Sequence, residues 1–484
     1  MDKKKFLKEL RAWLIAIGVS SVVFVIIFFI IARDEPYARS VIEDNPVTNA
    51  ISGGGPNGNS GGGSSGGDSS GGGSSSVSVQ PFDPNNLSST YLVGFDYASG
   101  DFMESSPVFE CKVRLDGKME VEFWYQLSNG EYVITPVVYD IPDAQFSEIK
   151  HTVDLRKLYN LDPECENPDE VCDGGFTYMY IYDKDDAVLK NCGGFCPTSR
   201  EYQDMLRVLH DSLSDEMKED ALYYKKIWRF HAGNASYEHY GVFLNYEEPL
   251  MDLKLDYDTI VIDAQEKSEA DIASFKDSYD SDKYVFSYIN VGSLENFRDY
   301  YDEYSDLGLS EYENWEDEVW VNVADERWQD FILNTLAPEL IDKGIDGFFV
   351  DNCDVYYQYP TEEILHGLSV IMEGLKDTGL LVIINGGDAF MDAYTDAGGD
   401  MKDVIDAINQ ETVLSCIYWD RGTFGRNNDE DREYFEAYLE KYAALGAKIY
   451  LLEYTNGSSI DLDIRDFCRD HDYGYYISDS IDLD

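Results

Sequence analysis

Asp346-Gly-Phe-Phe-Val-Asp-Asn-Cys-Asp354 is the stretch on which the fold turns. Three bulky apolar residues, Phe348, Phe349 and Val350, run straight into Asp351, and Asp354 follows close behind. An apolar run this short, without polar alternation, predicts a strand buried on both faces, as in a parallel sheet. A carboxylate where such a strand ends sits at the rim where (β/α) barrels place their chemistry. An Asp there can equally cap the next turn, so the neighbouring segments have to separate the two readings.

From Tyr240 onward apolar strands alternate with amphipathic helices. Strands are predicted at Gly241–Asn245, Thr259–Asp263, Tyr284–Asn290, Gly347–Val350, Leu380–Ile384, Ala407–Gln410, Lys448–Leu452 and Tyr473–Ile477. Between them, 326–343 carries Trp328, Ile332, Leu336 and Leu340 at every fourth residue. Segments 361–375, 429–444 and 461–469 are likewise helix-like. Strict β–α alternation implies a parallel sheet, and eight strands in about 250 residues match a (β/α)8 barrel. A doubly wound open sheet would want a glycine-rich phosphate loop after its first strand, and Tyr246-Glu-Glu-Pro249 is nothing like one.

The remainder of the 484 residues divides into four further segments. Residues 1–11 form a short basic tail, expected to lie in the cytoplasm, with Lys3, Lys4, Lys5, Lys8 and Arg11. Residues 12–32 lack any charge and are rich in Ile, Val and Phe; as a helix they would span about 30 Å, one bilayer core. The basic flank orients such an anchor with the rest of the chain outside the cell membrane. Residues 33–90 hold a Gly/Ser tract at 52–76 and read as a flexible linker. Gly62-Gly-Ser-Ser-Gly66 matches a hydrolase nucleophile elbow only formally, since no strand precedes it.

Residues 91–234 read as a small β-rich accessory domain of unassigned function, before a barrel domain at 235–484. Segment 111–125 alternates around Asp116-Gly117, a hairpin signal. Strands are expected at 131–139 and 176–182, and helical spacing runs through 203–213. The acid-rich loop 162–173 lacks the pattern of an EF-hand. Among eight cysteines, Cys165/Cys172 and Cys192/Cys196 are the expected local pairs in an oxidising compartment. Neither CxxC nor HExxH occurs, so no metal site is predicted.

The chain carries 94 acidic and 37 basic residues, a formal charge of −57 at pH 7. That excludes nucleic acid as a natural partner and suits a cationic one, although acidity alone names no ligand. At the predicted strand ends stand acids (Asp263, Asp351, Asp354, Glu411), amides (Asn290, Asn352, Asn385) and aromatics (Tyr246, Tyr288, Trp419, Tyr454). Lys and Arg are nearly absent, and no Ser/His or Cys/His couple occurs. Such a set argues against phosphoryl and acyl transfer and suits a sugar. Cleaving a glycosidic bond takes two carboxyl groups flanking it. Asp351 and Glu411 are the foremost pair by position; Asp263 with Glu453 stays open, with Glu453 read as a structural hydrogen-bond acceptor. Cys353 reads as core filler.

Several motifs, in order, resemble the endo-α-1,4-polygalactosaminidase family, glycoside hydrolase family 114. They are Tyr288-Ile-Asn-Val-Gly292, Trp320-Val-Asn-Val-Ala-Asp-Glu-Arg-Trp328, Gly344–Asp354, Asn385-Gly-Gly387 and Asn409-Gln-Glu411. The resemblance covers about 240–480 and implies a (β/α)8 hydrolase needing no metal or cofactor. It places the catalytic pair on Asp351, as nucleophile, and Glu411, as acid/base, with the roles exchangeable. It also implies a retaining reaction on a polymer of α-1,4-linked galactosamine, a cationic amino-sugar substrate. Ser293-Leu-Glu-Asn-Phe-Arg298 departs from the shorter acidic turn expected there. A non-catalytic surface protein that binds glycan, and a barrel glycosidase for another sugar, are the alternatives.

Overall fold

The computed structural model describes residues 81–98, 107–161, 176–195, 199–277, 283–312, 315, 317–457 and 459–484. The predicted anchor, the linker's Gly/Ser tract, the loop 162–173 and the Cys165/Cys172 pair lie outside the described residues. Among the described residues no helix is long and apolar enough to cross a membrane. The chain divides into two compact units: described parts of 81–97, 110–120 and 138–213 form one, and those of 98–109, 121–137 and 214–484 the other.

Six strands precede the barrel: β1 (Tyr91–Ala98), β2 (Val108–Arg114), β3 (Lys118–Gln126), β4 (Tyr132–Asp140), β5 (Phe176–Tyr182) and β6 (Val188–Phe195). They make one sheet in the order β4-β3-β2-β1-β5-β6. The turn between β2 and β3 is the predicted one, with Gly117 at φ +88°. Side chains alternate in and out of β3, burying Met119, Val121, Phe123 and Tyr125. Cys192, in β6, is buried and free; Cys196, its expected partner, lies outside the described residues.

Eight parallel strands follow: β7 (Tyr240–Phe243), β8 (Thr259–Ile262), β9 (Tyr284–Asn290), then β13 (Gly347–Asp351), β14 (Leu381–Asn385), β15 (Ala407–Glu411), β18 (Lys448–Tyr454) and β19 (Gly474–Ser478). The intervening numbers belong to two antiparallel excursions, β10 (Ser293–Glu295), β11 (Gly308–Glu311) and β12 (Glu318–Val321), and the hairpin β16 (Ser415–Tyr418) and β17 (Thr423–Arg426). Sheet order runs β7-β8-β9-β13-β14-β15-β18-β19, and the two edge strands β19 and β7 meet. Every one of the eight predicted strands is present, and the architecture is a (β/α)8 barrel.

The strands sort their side chains by parity. Phe348 and Val350 pack outward against the helices, alongside Val382 and Ile384 from β14. Phe349, Phe286, Ile383 and Leu452 fill the interior. Because the period is two, the next inward residues are Asp351, Tyr288, Asn385 and Tyr454. The helices between strands are closed by local chemistry. Thr361 Oγ1 accepts from Ile364 N–H at 3.3 Å to start Glu362–Asp377. Asn428 Oδ1 accepts from Asp431 N–H at 2.9 Å to start Asp429–Leu445, and Gly446 at φ +104° ends it.

Candidate active site

A hollow of about 1400 Å³ opens over the C-terminal ends of the barrel strands, large enough for several sugar rings. At its floor stands a single amide. Asn385 Nδ2 donates to Asp351 Oδ1 at 2.9 Å and to Glu411 Oε1 at 2.8 Å, so these two oxygens are at most 5.7 Å apart. Two hydrogen bonds from one NH2 group leave at about 120°, which puts them about 5 Å apart. Both carboxyl groups line the hollow and keep part of their surface exposed.

The shared amide cannot turn over. Its Oδ1 accepts from Asn409 Nδ2 at 2.7 Å, and Asn409 Oδ1 accepts from the Tyr240 hydroxyl at 3.0 Å. Asn409 and Tyr240 are buried in the barrel, where Tyr240 stacks on Tyr450 at 4.2 Å. Sequence reasoning missed both residues. Asn409 carries a signal, a polar side chain two positions before Glu411 and hence on the same face.

Glu411 also accepts from the Tyr454 hydroxyl at 2.8 Å. Burial raises its pKa, while the bonds from Asn385 and Tyr454 oppose the rise. Asp351 is pushed up to about 6, by burial first and by the charge of Glu411 second. Bonds from Asn385, Asn352 N–H and the Tyr288 hydroxyl hold that rise in check. The arrangement is two acids competing for one proton within reach of a common guest, which is the requirement for general acid and nucleophile on one bond.

The other predicted residues divide. Tyr246, Asp263, Tyr288, Asn352, Asp354, Asn385, Trp419 and Tyr454 all line the hollow. Asn290 does not: it is 2 % exposed, and its amide is taken up by Ser293 at 2.7 Å and 2.9 Å and by the Tyr288 hydroxyl at 3.1 Å. Asp263 accepts an ion pair from Arg298 Nη1 at 2.7 Å, so it anchors a wall more than it faces a guest. Asn352 sits at φ +66° and accepts from Tyr312 at 3.1 Å. Trp419 meets Trp315 edge-on at 5.8 Å. Glu453 is fully buried and accepts from Leu414 N–H, Ser415 N–H and the Ser415 hydroxyl, the structural role expected of it. Cys353 is buried beside Met372.

One wall was foreshadowed in the sequence only by the departure at Ser293–Arg298, with no strand predicted there. The sheet β10-β12-β11 brings Glu295, Glu318 and Tyr312 to the hollow. Glu318 is pushed up to about 7 by burial, with Glu295 and Asp351 adding to the rise. Thirteen acidic residues line the hollow against two basic ones. Arg298 is neutralised by Asp263 and Glu295, and Lys267 is bound to the Tyr246 carbonyl.

A family model described as Glycoside-hydrolase family GH114 matches residues 223–479. No curated protein sequence matches the chain. Among solved structures, the glycoside hydrolase domain of PelA from Pseudomonas aeruginosa is similar at 20 % identity and TM-score 0.44, over 51 % of this chain and 95 % of that one. Ega3 from Aspergillus fumigatus, solved in complex with galactosamine, is similar at 17 % identity and TM-score 0.41, over 52 % of this chain and 94 % of that one. With more than half of its length inside the family match, this chain belongs to glycoside hydrolase family 114.

Proposed function

We propose that this glycoside hydrolase cleaves a polysaccharide containing α-1,4-linked galactosamine, with retention, outside a membrane to which its N-terminus anchors it. The observation that carries the mechanism is the Asn385 amide shared by Asp351 and Glu411, with their oxygens at most 5.7 Å apart (bonds of 2.9 and 2.8 Å). A separation near 5–5.5 Å suits direct attack on the sugar, whereas inversion wants roughly 6.5–9.5 Å to seat a water. Asp351 attacks the anomeric carbon and forms a glycosyl ester as Glu411 protonates the departing oxygen. Glu411 then takes a proton from water, whose oxygen attacks the anomeric carbon on the face the departing group vacated, opposite Asp351, and displaces that carboxylate.

In the free protein burial raises both carboxyl groups, Asp351 to about 6, and the two compete for a proton. These roles therefore need it to sit on Glu411 once sugar is bound. Positive charge developing at the anomeric carbon favours an ionised carboxylate beneath it, and a coupled pair holds its proton jointly. Excess acid around the hollow supports a cationic sugar. The basic residues before Arg11 and the charge-free run 12–32 support the anchor.

The test is reducing-end release from galactosaminogalactan, with the first-formed anomer read by NMR. An α-anomer and loss of release in Glu411→Gln are expected; an inverted product, or undiminished release, overturns the mechanism. Azide should rescue Glu411→Ala and yield an α-glycosyl azide, whereas a β-azide would exchange the two roles. Removing 1–33 should move the protein from the membrane to the soluble fraction.

A further inference from the structure

On the side of Asp351 that faces the excursion β10-β12-β11 stands an acid that the mechanism above leaves idle. Glu295 ends β10 and is 5 % exposed. Its Oε2 accepts from Arg298 Nε at 2.6 Å, and its Oε1 accepts from the Tyr288 hydroxyl at 3.3 Å. The same hydroxyl also serves Asp351. Tyr288 and Asp351 belong to adjacent strands: Tyr288 of β9 pairs with Phe349 of β13, and Asp351 follows two residues on.

One hydroxyl proton is thus offered to two carboxylates, and Asn290 leaves it no other use. Asn290 Oδ1 accepts from Ser293 N–H at 2.9 Å, which fixes the amide, and Nδ2 donates to the Tyr288 oxygen at 3.1 Å. A hydroxyl that accepts there has only its own hydrogen to give. Burial, with the charges of Glu295 and Asp351, raises Tyr288 well above the usual tyrosine range. That hydrogen therefore stays on its oxygen and only rotates. At 3.3 Å the bond to Glu295 is longer than the roughly 2.5–3.0 Å usual between oxygens, so the hydroxyl can follow whichever acceptor is stronger.

The reaction changes which one that is. Before attack Asp351 carries its charge. In the glycosyl ester one of its oxygens is bonded to the anomeric carbon and the charge is gone, while Glu295 keeps its own against Arg298. A hydrogen bond to an ionised oxygen is roughly twice as strong as one to a neutral oxygen.

We infer that Glu295, held by Arg298, is a positioning residue: it takes the Tyr288 hydroxyl while Asp351 is esterified and gives it back as water releases that carboxylate. Glu295 acts through Tyr288 and forms no bond to the sugar. The inference rests on the retaining reading above, since inversion passes through no ester. Other groups bear on the same two acids and stay in place in the variants below. Glu411, Glu318 and Asp354 face Asp351, with Tyr312, Tyr454 and Cys353 holding their protons beside it. Asp263, Tyr300 and Glu318 face Glu295.

The experiment follows cleavage of an α-1,4-galactosamine oligosaccharide by the full chain across pH, in the unmodified protein and in Tyr288→Phe, Glu295→Gln and Glu295→Asp. The acid limb of kcat/KM reports the Asp351–Glu411 pair. Tyr288→Phe removes a donor from Asp351, so the limb should rise by roughly 0.5–1 pH unit. Glu295→Gln weakens the rival acceptor by removing its charge, and Glu295→Asp by shortening its reach. In both the hydroxyl stays on Asp351, and the limb should fall by a similar amount. With the nucleophile held back, kcat should drop roughly tenfold in both while KM stays within about twofold. Should Glu295→Gln fail to fold, Glu295→Asp, which keeps a charge for Arg298, carries the comparison alone. A limb unmoved in Glu295→Asp would make Glu295 a plain charge, and a loss carried by KM would make it a sugar contact. Either overturns the inference and leaves the retaining mechanism standing. An inverted product from the unmodified protein removes that mechanism and the inference with it.

Discussion

At the scale of single residues, the groups that equip this site also weaken the fold. Asp351 is raised from 3.8 to about 6, chiefly by burial. Between about pH 4 and 6 the folded chain therefore holds a proton that the unfolded chain has released. The contribution of Asp351 is full below the lower value and is lost as pH climbs through the upper one. Asn is its near isostere and can still accept from Asn385. Asp351→Asn should accordingly raise the stability of the barrel at pH 7.5 by roughly 1–3 kcal/mol, and change it little at pH 4. Activity should fall by about 10³-fold or more if Asp351 is the nucleophile proposed above. Thermal unfolding at the two pH values checks this; a Tm gain of equal size at both would show that ionisation is not the cause.

Among the elements, the excursion between β9 and the helix starting at Glu326 is where structure exceeds what the sequence announces. The eight barrel strands were legible because each is a short apolar run bounded by turn residues, and parity then aimed Asp351 and Glu411 inward. Gly308–Glu311 offers no such signal: all four of its residues are exposed, and nothing alternates. Without that sheet in view, Asn290 reads as a strand-end amide facing substrate, when Ser293 of β10 claims it. The Tyr240–Asn409–Asn385 relay was hidden for a different reason, since Tyr240 and Asn409 lie 169 positions apart and meet only inside a closed barrel. Arg298 fastens the excursion to the barrel, donating to Asp263 at 2.7 Å and Glu295 at 2.6 Å with all three side chains buried. Arg298→Gln leaves two buried carboxylates unpaired, which costs about 3–5 kcal/mol where both are ionised. The loss should be severe at pH 7.5 and smaller near pH 5, where Glu295, already raised by burial, can take up a proton instead. A Tm deficit independent of pH would assign Arg298 to packing alone.

For the whole molecule, the formal charge of −57 acquires a direction only when set beside the hollow. Acid spread over a surface keeps a protein soluble and names no guest. Here thirteen acids and two bases line one cavity, and one of those bases is already consumed by Asp263 and Glu295. Walls of low dielectric focus such a field and raise the local concentration of a cationic polymer. Salt screens this attraction over a Debye length of about 10 Å at 0.1 M, whereas groups in contact with the bound sugar are screened far less. Capture should therefore respond to salt and the chemical step should not. On partly deacetylated galactosaminogalactan, kcat/KM is expected to fall roughly tenfold between about 20 and 500 mM NaCl while kcat stays within about twofold. The fully N-acetylated polymer, being neutral, should show almost no salt dependence in either constant. A flat kcat/KM for the deacetylated polymer would mean that the acidity serves solubility and that recognition is confined to short-range contacts in the cleft.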